Sequence, residues 1–507
     1  MWSLYSIICG LLGGFGPMTS LLLGFTLSPL SLGETPTWSK DVAPIVYKHC
    51  LGCHRTGSVG PFELRTYKDV SRRADFLGDM VASNKMPPWK PEAGHGSFKD
   101  EMRLSDKEKA TFAAWVAGDA PEGDAKDLPP QPIFAKGWKL GQPDKVITIP
   151  KPFDVPAEGK DIYQYFVIPL ELTQDEALVG YEFEPGNAKV VHHSIMYLDH
   201  THSARKIMDP KTQSYHRFGG PGFVPTGSLG AWTPGARPSM LPKGTGRYIK
   251  KESDLVIQIH YHPSGKPETD QSRLALYYAK TPPEQYVGSV LIRPRYFVIP
   301  AGESKHIVET KPIRLPVDVT VLSIAPHMHL LGKEIKVIAQ LPNGKEIPLI
   351  WIRDWDFNWQ GSYFYMDPID LPAGTVIKTK AIYNNSTSNP KNPNHPPKVV
   401  TWGEETTDEM LMCLISVITK TKEDMKKFLE MPGGPIGSMM PGSVFPETPE
   451  EIAEAKKNRG KIILQTLMWQ FDKNEDGFLS REEIQELPKE NRDQILPLLR
   501  VMGKLKD

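Results

Sequence analysis

The sequence predicts a multidomain, mainly β protein with a small helical module at each end. Proline (48) and glycine (42) are abundant among the 507 residues, which favours a chain with many turns. Between about residue 145 and residue 420, short runs of β-branched and aromatic residues are punctuated by Gly, Pro and Asn, which is the pattern of all-β sandwiches. A chain of 507 residues has room for about three or four domains.

The charge balance excludes one class of partner. Lysine plus arginine (60) equals aspartate plus glutamate (60), so the chain has no excess of either sign. No overall electrostatic field then favours nucleic acid or an acidic surface. Four cysteines are also too few for a disulfide scaffold. We therefore expect no nucleic-acid partner.

Residues 1–33 form the first element, and none of them is charged, because Glu34 is the first charged residue. Such an apolar, small-residue segment is typical of an export signal. It lacks Lys or Arg near the start and is long for a cleaved signal, so an uncleaved membrane anchor remains the alternative. Beyond residue 33, no uncharged apolar run is long enough to span a bilayer. We expect a periplasmic or extracellular protein, tethered to a membrane only if this segment is retained.

Residues 34–126 contain the attachment pattern of haem c, Cys50-x-x-Cys53-His54. In this pattern two thiols add to the haem vinyl groups, and the adjacent histidine lies directly under the iron. The stretch "WSKDVAPIVYKH" before it is typical of an amphipathic helix. The stretch "LSDKEKATFAAWVAGDAPEGD" after it resembles the closing helix of a small c-type cytochrome. We therefore predict a cytochrome c domain that carries one haem, followed by a proline-rich linker.

The second axial ligand of this haem is predicted to be Met86. It lies in "NKMPPWK", a loop that proline stiffens, whereas Met80 and Met102 are its competitors. Ligation by methionine and histidine raises the potential of the iron and suits electron transfer.

Six of the 14 histidines fall in three tight groups in the β region, each after an apolar run that predicts a buried strand. Imidazole suits Zn, Cu, Fe and Ni, while thioether sulfur selects Cu(I), and Met410 begins another apolar run, "MLMCLISVI". No H-E-x-x-H helix of a zinc hydrolase is present. The groups are His192 and His193, His260 and His262, and His327 and His329.

Strand geometry separates these groups. His327 and His329 are two residues apart and share one face of a strand, so Met328 points away. His192 and His193 are adjacent, and both can bind one metal only if the backbone bulges there. His260 is the predicted ligand of its pair, because His262 precedes a proline at the turn.

The stretches "VVHHSIMY", "IQIHYHPSG", "PHMHLLGKE" and "WGEETTDEMLM" occur in this order. Together they resemble the copper type II, ascorbate-dependent monooxygenases, the family of peptidylglycine α-hydroxylating and dopamine β-monooxygenases. The resemblance covers about 145–425 and implies two jelly-roll-like β-sandwiches, each with one copper, which face each other across a cleft. It implies an electron-transfer copper on His192, His193 and His260, and a copper where O₂ reacts on His327, His329 and Met410.

Two departures from that family bear on the substrate. The peptide-amidating enzymes have an arginine two residues before the H-x-H pair, which binds the substrate carboxylate, and this chain has Ala325. They also have Asn and Tyr after the copper methionine, where this chain has Met412 and Leu414. A peptide substrate is therefore not expected. The disulfide set of the family is absent too, and Cys413 is predicted to be a buried free thiol.

The tail predicts an EF-hand, a helix followed by the calcium loop "DKNEDGFLSREE" with Gly477 at its turn. One calcium is expected there, in a structural role. The predicted ligands at positions 1, 3, 5, 7, 9 and 12 are Asp472, Asn474, Asp476, the Phe478 carbonyl, Ser480 and Glu483.

These elements predict an exported, haem c-containing copper monooxygenase that hydroxylates a C–H bond of a small organic substrate with O₂. Electrons are expected from ascorbate or another reductant, with an external donor feeding the coppers through the haem. The alternative is a non-enzymatic periplasmic electron-transfer or copper-binding protein. The predicted boundaries are 1–33 (signal or anchor), 34–126 (cytochrome c), 127–144 (linker), 145–288 and 289–425 (copper sandwiches), 426–450 (linker) and 451–507 (EF-hand).

Overall fold

The structure is a computed structural model, and it describes residues 34–431, except 59, 135–136, 218–219, 224, 235, 295–296, 404–405 and 430, together with 476, 478–485, 496, 499 and 505–506. The predicted signal or anchor (1–33) and most of the predicted linker (426–450) lie outside the described residues. Within the described ranges, no helix is both long and apolar enough to cross a membrane.

The first module is a small group of helices. A π-helix runs directly into α1, so the predicted amphipathic helix forms in two parts. Trp38 and Trp115 pack at its centre with ring centroids 6.5 Å apart, and both are almost fully buried. The helices are the π-helix Trp38–Val42, α1 (Ala43–His49), α2 (Tyr67–Ser71), α3 (Ala74–Ala82), α4 (Asp106–Ala117) and the 3₁₀-helix Ala125–Asp127.

Residues 145–286 form the first β-sandwich. Its strands are β1 (Lys145–Thr148), β2 (Phe153–Val155), β3 (Ile162–Pro169), β4 (Glu176–Glu184), β5 (Val191–Asp199), β6 (Ser214–His216), β7 (Gly227–Trp232), β8 (Thr245–Ile249), β9 (Asp254–Tyr261), β10 (Glu268–Asp270), β11 (Arg273–Tyr278) and β12 (Gln285–Tyr286). One sheet has the order β1-β11-β4-β8-β12 and the other the order β6-β3-β9-β5-β7, while β2 pairs with β10. Leu276 of the first sheet and Ile257 of the second belong to one apolar core.

Residues 288–418 form the second β-sandwich. Its strands are β13 (Gly288–Ile292), β14 (Val298–Ile299), β15 (His306–Glu309), β16 (Ile313–Arg314), β17 (Val319–Met328), β18 (Gly332–Gln340), β19 (Glu346–Ile352), β20 (Tyr363–Leu371), β21 (Val376–Tyr383), β22 (Val400–Thr401) and β23 (Leu411–Ile418). One sheet has the order β13-β23-β17-β20, and the other has β15-β21-β18-β19 with β16 on β21. Helix α5 (Lys422–Leu429) adds Phe428 to the shared core. The described chain is thus mainly β and multidomain, as the sequence predicts.

The two sandwiches are in direct contact. Thr233 of the first donates its hydroxyl to the Gln360 carbonyl of the second at 2.7 Å. Gln285 Nε2 donates to the Thr419 carbonyl at 2.8 Å. Residues of both sandwiches also line one cavity between them.

The helical module also packs against the second sandwich, through the segment 89–99. Its Phe98 pairs with Tyr365 as an isolated β-bridge and is buried in the core of that sandwich. Lys90 is nearly buried and forms an ion pair with Asp354 at 3.2 Å. The predicted cytochrome region therefore supplies part of the core of the second sandwich, in addition to its own helices.

Only part of the tail is described. It includes the short helix α6 (Arg481–Gln485), whose first turn is capped by Ser480. The Ser480 N–H and hydroxyl both donate to Glu483 Oε2 at 2.8 Å.

Candidate metal centres

The structure brings His192, His193 and His260 together, and we call them the three-histidine group. One ligand atom from each lies within 4.8 Å of the other two. Strand β5 pairs with β9, and its register shifts between Val191 and His193, so the strand bulges at His192. Neighbouring residues on a regular strand face opposite ways, so this bulge allows the adjacent His192 and His193 to face the same side.

The nitrogen atoms of this group suit metal binding. Nδ1 of His192 and Nδ1 of His260 are buried and have no hydrogen-bond partner in the described structure. Burial lowers the pKa of His192 to about 4, and burial also lowers that of His193 well below its usual value. The rings of His192 and His193 are therefore neutral at neutral pH, and neutral imidazole is the form that binds a metal.

Asp161 holds one ring of the group in place, and the sequence analysis missed it. Its carboxylate accepts from His260 Nε2 at 2.8 Å and from His262 Nδ1 at 2.7 Å. Burial acts to raise the pKa of Asp161, yet the hydrogen bonds from the two histidines hold it well below the usual range. Because Nε2 of His260 donates to the carboxylate, Nδ1 carries the lone pair.

His262 itself is largely exposed, with 69% of its side chain accessible, and it lies outside the three-histidine group. Local sequence gives no signal for Asp161. It precedes β3, which lies beside β9 only after the sheet has formed.

The second candidate centre is the His-x-His group, His327 and His329, with ring centroids 5.0 Å apart. On the neighbouring strand β23, Met412 pairs with His327 and Leu411 with Met328. Continuing that register by one residue places Met410 opposite His329. Directly opposed residues share a face, so both methionines lie on the side of the histidines.

The other face of the strand pair is apolar. Met328 is fully buried in the core of the second sandwich, pointing away as the spacing predicts. Cys413 is a buried free thiol there, also as predicted.

Hydrogen bonds orient the rings of the His-x-His group. His329 Nδ1 donates to the Asp408 carbonyl at 3.1 Å, and His327 Nδ1 donates to the Gln360 side-chain oxygen. A carbonyl oxygen only accepts, so each ring carries its proton on Nδ1 and its lone pair on Nε2. Burial lowers the pKa of His327 to about 4.

The buried carboxyl group of Glu409 fixes the backbone around this group, and Glu409 is a second residue that the sequence analysis missed. It accepts from the N–H groups of His329 (3.0 Å), Leu331 (2.6 Å) and Met410 (3.2 Å). Burial raises the pKa of Glu409 to about 8, against the lowering effect of these bonds. Only the tertiary pairing of β17 with β23 reveals its role.

Phe357 lies between the two groups. Its ring centroid is 5.4 Å from that of His192 and 5.6 Å from that of His329. His193 and both histidines of the His-x-His group line one cavity of about 920 Å³ between the sandwiches, together with Met410. The centres therefore belong to different sandwiches but open onto, or lie beside, one space.

The Cys50-x-x-Cys53-His54 segment follows α1 as a series of turns. His54 Nδ1 donates to the Phe62 carbonyl at 3.0 Å, which leaves its lone pair on Nε2. Burial raises the pKa of Cys50 to about 12, and burial also raises that of Cys53. Both are free thiols, and Cys53 lines the cavity of the histidine groups.

The predicted axial methionine follows α3. The Met86 N–H donates to the Met80 carbonyl at 3.1 Å, whereas Met102 lines the cavity. The choice of Met86 over these competitors stays a prediction.

The predicted calcium loop is only partly described, since Asp472, Asn474 and Gly477 lie outside the described residues. Asp476 forms an ion pair with Lys506 at 2.7 Å. Glu483 is buried and accepts from Ser480, as described above. Calcium binding therefore stays a prediction.

Comparisons with known proteins name no family. No family model and no curated protein matches the chain. Solved structures that align with it are a structure of infectious bursal disease virus Gx strain (8% identity, 63% of this chain and 90% of that chain, TM-score 0.15), the PBSX exported protein XepA (8%, 47% and 86%, TM-score 0.14) and PNGF-II (9%, 53% and 60%, TM-score 0.18). TM-scores this low carry no argument about fold family or function.

Proposed function

We propose that this chain is an exported, haem c-containing copper monooxygenase that hydroxylates a C–H bond of a small organic substrate. One observation carries the proposal: a three-histidine group on one sandwich and a His-x-His group on the other lie at a common cavity. A single structural site would need no second group, and a hydrolytic zinc site would usually include a carboxylate ligand.

The donor sets fit copper. His192, His193 and His260 would hold one ion through neutral imidazoles, two of which have buried, unpartnered Nδ1 atoms. His327, His329 and a methionine from β23 would hold the other, and thioether sulfur favours Cu(I). Copper supplies the one-electron chemistry that couples O₂ reduction to C–H oxidation. The overall reaction balances as R–H + O₂ + 2 e⁻ + 2 H⁺ → R–OH + H₂O.

The residues of the chain prepare the site for that reaction. Asp161 and Glu409 keep the ligands in fixed orientations, which spares reorganisation during turnover. Phe357 lies against His192 and His329 and gives the space between the two groups an apolar wall. The Cys50–His54 segment would hold haem beside the same cavity, and an external donor would supply its electrons.

The alternative is a periplasmic electron-transfer or copper-holding protein with the same ligands. The cavity of about 920 Å³ beside the His-x-His group favours the enzyme, because a carrier needs no space for a substrate.

The test is oxygen uptake by copper-loaded protein with a reductant, across a panel of small organic molecules. A monooxygenase consumes one O₂ for each hydroxylated product. A carrier reoxidises slowly and forms no product. Zinc in both histidine groups, after growth with ample copper, would also refute the proposal. Elemental analysis should give about two coppers, one iron and one calcium per chain.

A further inference from the structure

Arg247 lies in the cavity, and none of the described residues is an acidic partner for it. It is on β8 of the first sandwich, and its Nη2 donates to Ser416 Oγ of the second at 3.3 Å. Two carboxylates that line the cavity are engaged elsewhere: Glu182 accepts from the Lys139 N–H at 2.7 Å, and Asp100 pairs with Arg237 at 3.4 Å. Among the described residues, none forms an ion pair with Arg247.

A partly buried guanidinium that forms no ion pair with a described residue destabilises the folded protein. Burial lowers the pKa of Arg247, yet a guanidinium stays protonated at neutral pH. Taking a charge out of water without a counter-charge destabilises the folded protein, unless an anion completes the site. A planar guanidinium also matches a carboxylate with two parallel hydrogen bonds.

The side chains on one face of the sheet change in polarity along the cavity. Strands β13, β23 and β17 form a row of serines across this face, in which Ser416 pairs with both Ser289 and Ser323. The next row in register is apolar. It consists of Leu291, Leu414 and Ala325, and all six of these side chains line the cavity.

The row after that pairs Met412 with His327, at the candidate metal centre. Met412 is four residues from Ser416, so the serine row and the metal row are about 13 Å apart along β23. Along β23, the wall thus runs from the serine row beside Arg247, through the apolar row, to the His-x-His group.

We propose that the cavity binds an elongated apolar molecule with a terminal carboxylate, which Arg247 and the serine row hold while the distant end lies at the His-x-His group. This inference rests on the proposed function only for the reaction at the distant end of the bound molecule. Binding of the carboxylate by Arg247 does not depend on that function. In this proposal the carboxylate is bound from β8, which carries Arg247. Ala325, at the position of the carboxylate-binding arginine of the peptide-amidating enzymes, lies on β17.

The test compares decanoate with decanol, which share a chain and differ in charge. Calorimetric titration of the purified full-length protein under argon should show decanoate binding more tightly, and more tightly than acetate, because the apolar row adds contact area. Arg247→Met should weaken decanoate binding about tenfold to a hundredfold and leave decanol unchanged. Equal binding of decanoate and decanol by the unaltered protein would overturn the proposal.

Three further variants separate this role from others. Arg293→Met removes another arginine that lines the cavity, and it should keep the preference for decanoate. Ser416→Ala removes one hydroxyl of the serine row and should weaken decanoate binding less than Arg247→Met does, whereas a purely structural clamp between the sandwiches predicts equal losses. Arg247→Lys should retain part of the preference as a point charge. Loss of the preference in Arg293→Met alone would contradict the assignment.

Oxygen uptake then distinguishes the two proposals. Binding of decanoate through Arg247, with no oxygen uptake from any molecule of the panel, would refute the monooxygenase and leave the carboxylate site. Uptake with other substrates, but no binding of decanoate, would refute the carboxylate site and leave the monooxygenase.

Discussion

At the scale of single residues, Asp161 decides which nitrogen of His260 faces the three-histidine group. Asp161→Asn keeps the shape but replaces a strong charged acceptor, so copper affinity at this group should fall about tenfold to a hundredfold. Competition titration with a Cu(I) chelator measures the affinity, and the electron paramagnetic resonance spectrum of Cu(II) reports the ligand geometry. Asp154→Asn, at a carboxylate that bonds Thr269 instead, is the matched control. Equal affinity in both variants would exclude a positioning role for Asp161.

The two methionines of β23 pose a second question at this scale, because Met412 lies opposite His327 and Met410 follows opposite His329. Met410→Leu should remove the sulfur ligand and abolish oxygen chemistry while copper stays at the three-histidine group. X-ray absorption at the copper edge detects the sulfur ligand directly. Met412→Leu is the control, and it should retain that signal. The reverse pattern would transfer the ligand role to Met412.

At the scale of elements, α4 depends on the capping box of Ser105 and Glu108. The Ser105 N–H donates to Glu108 Oε2 at 2.7 Å, and the Glu108 N–H donates to Ser105 Oγ at 3.2 Å. Ser105→Ala should lower the free energy of unfolding of the helical module by about 1 kcal/mol. Chemical denaturation followed by far-ultraviolet circular dichroism measures it.

Glu108 also makes this element sensitive to acid. Burial acts to raise its pKa, but hydrogen bonds from Ser105, His49 and Lys48 lower it to about 2. The folded value lies below the unfolded value of about 4.3, so this stabilisation is complete above the unfolded value and is lost as the pH falls towards 2. Glu108→Gln should therefore flatten the loss of stability in that window. Asp106→Asn, in the same turn, should leave the acid profile as it is.

The segment 89–99 is an element that belongs to two modules. Phe98→Ala should lower the free energy of unfolding of the second sandwich by about 3–5 kcal/mol, because Phe98 is buried in that core. Phe76→Ala, at a phenylalanine that is 51% exposed, should change it little. Thermal unfolding of both variants compares them. Equal transitions would mean that this segment does not stabilise the sandwich.

At the scale of the whole molecule, the helical module borders the cavity, since Cys53 lines it and Arg237 of the first sandwich pairs with Asp100. Replacing both Cys50 and Cys53 by serine should remove haem, while copper still loads. Turnover with a cytochrome-type donor should then be lost, and turnover with a small diffusible reductant should persist. The same donor-driven rate with and without haem would exclude the haem from the electron route.

That experiment needs a check of folding, because the proline-rich linker does not isolate the helical module. Segment 89–99 packs into the second sandwich, so a disturbance of the module can reach the β core. Circular dichroism and copper content of the serine variant show whether the sandwiches remain intact.

The sequence alone determined the features that depend on neighbours along the chain. The turn-rich β pattern, the haem attachment motif and the histidine spacings are local, and side-chain direction on a strand follows from a period of two. That period places His327 and His329 on one face with Met328 in the core, and it requires the bulge at His192. The mainly β fold class and the clustering of His192, His193 and His260 were therefore predictable.

Only the tertiary structure decided the rest, because it depends on which strands pair and which sandwiches meet. Asp161 reaches His260 through the pairing of β3 with β9, and Glu409 reaches His329 through that of β17 with β23. Arg247 and Phe357 act across the boundary between the sandwiches. Such contacts join residues far apart in sequence, and no local period encodes them. The sequence thus names the candidate ligands, and the fold supplies their supports and the shape of the cavity.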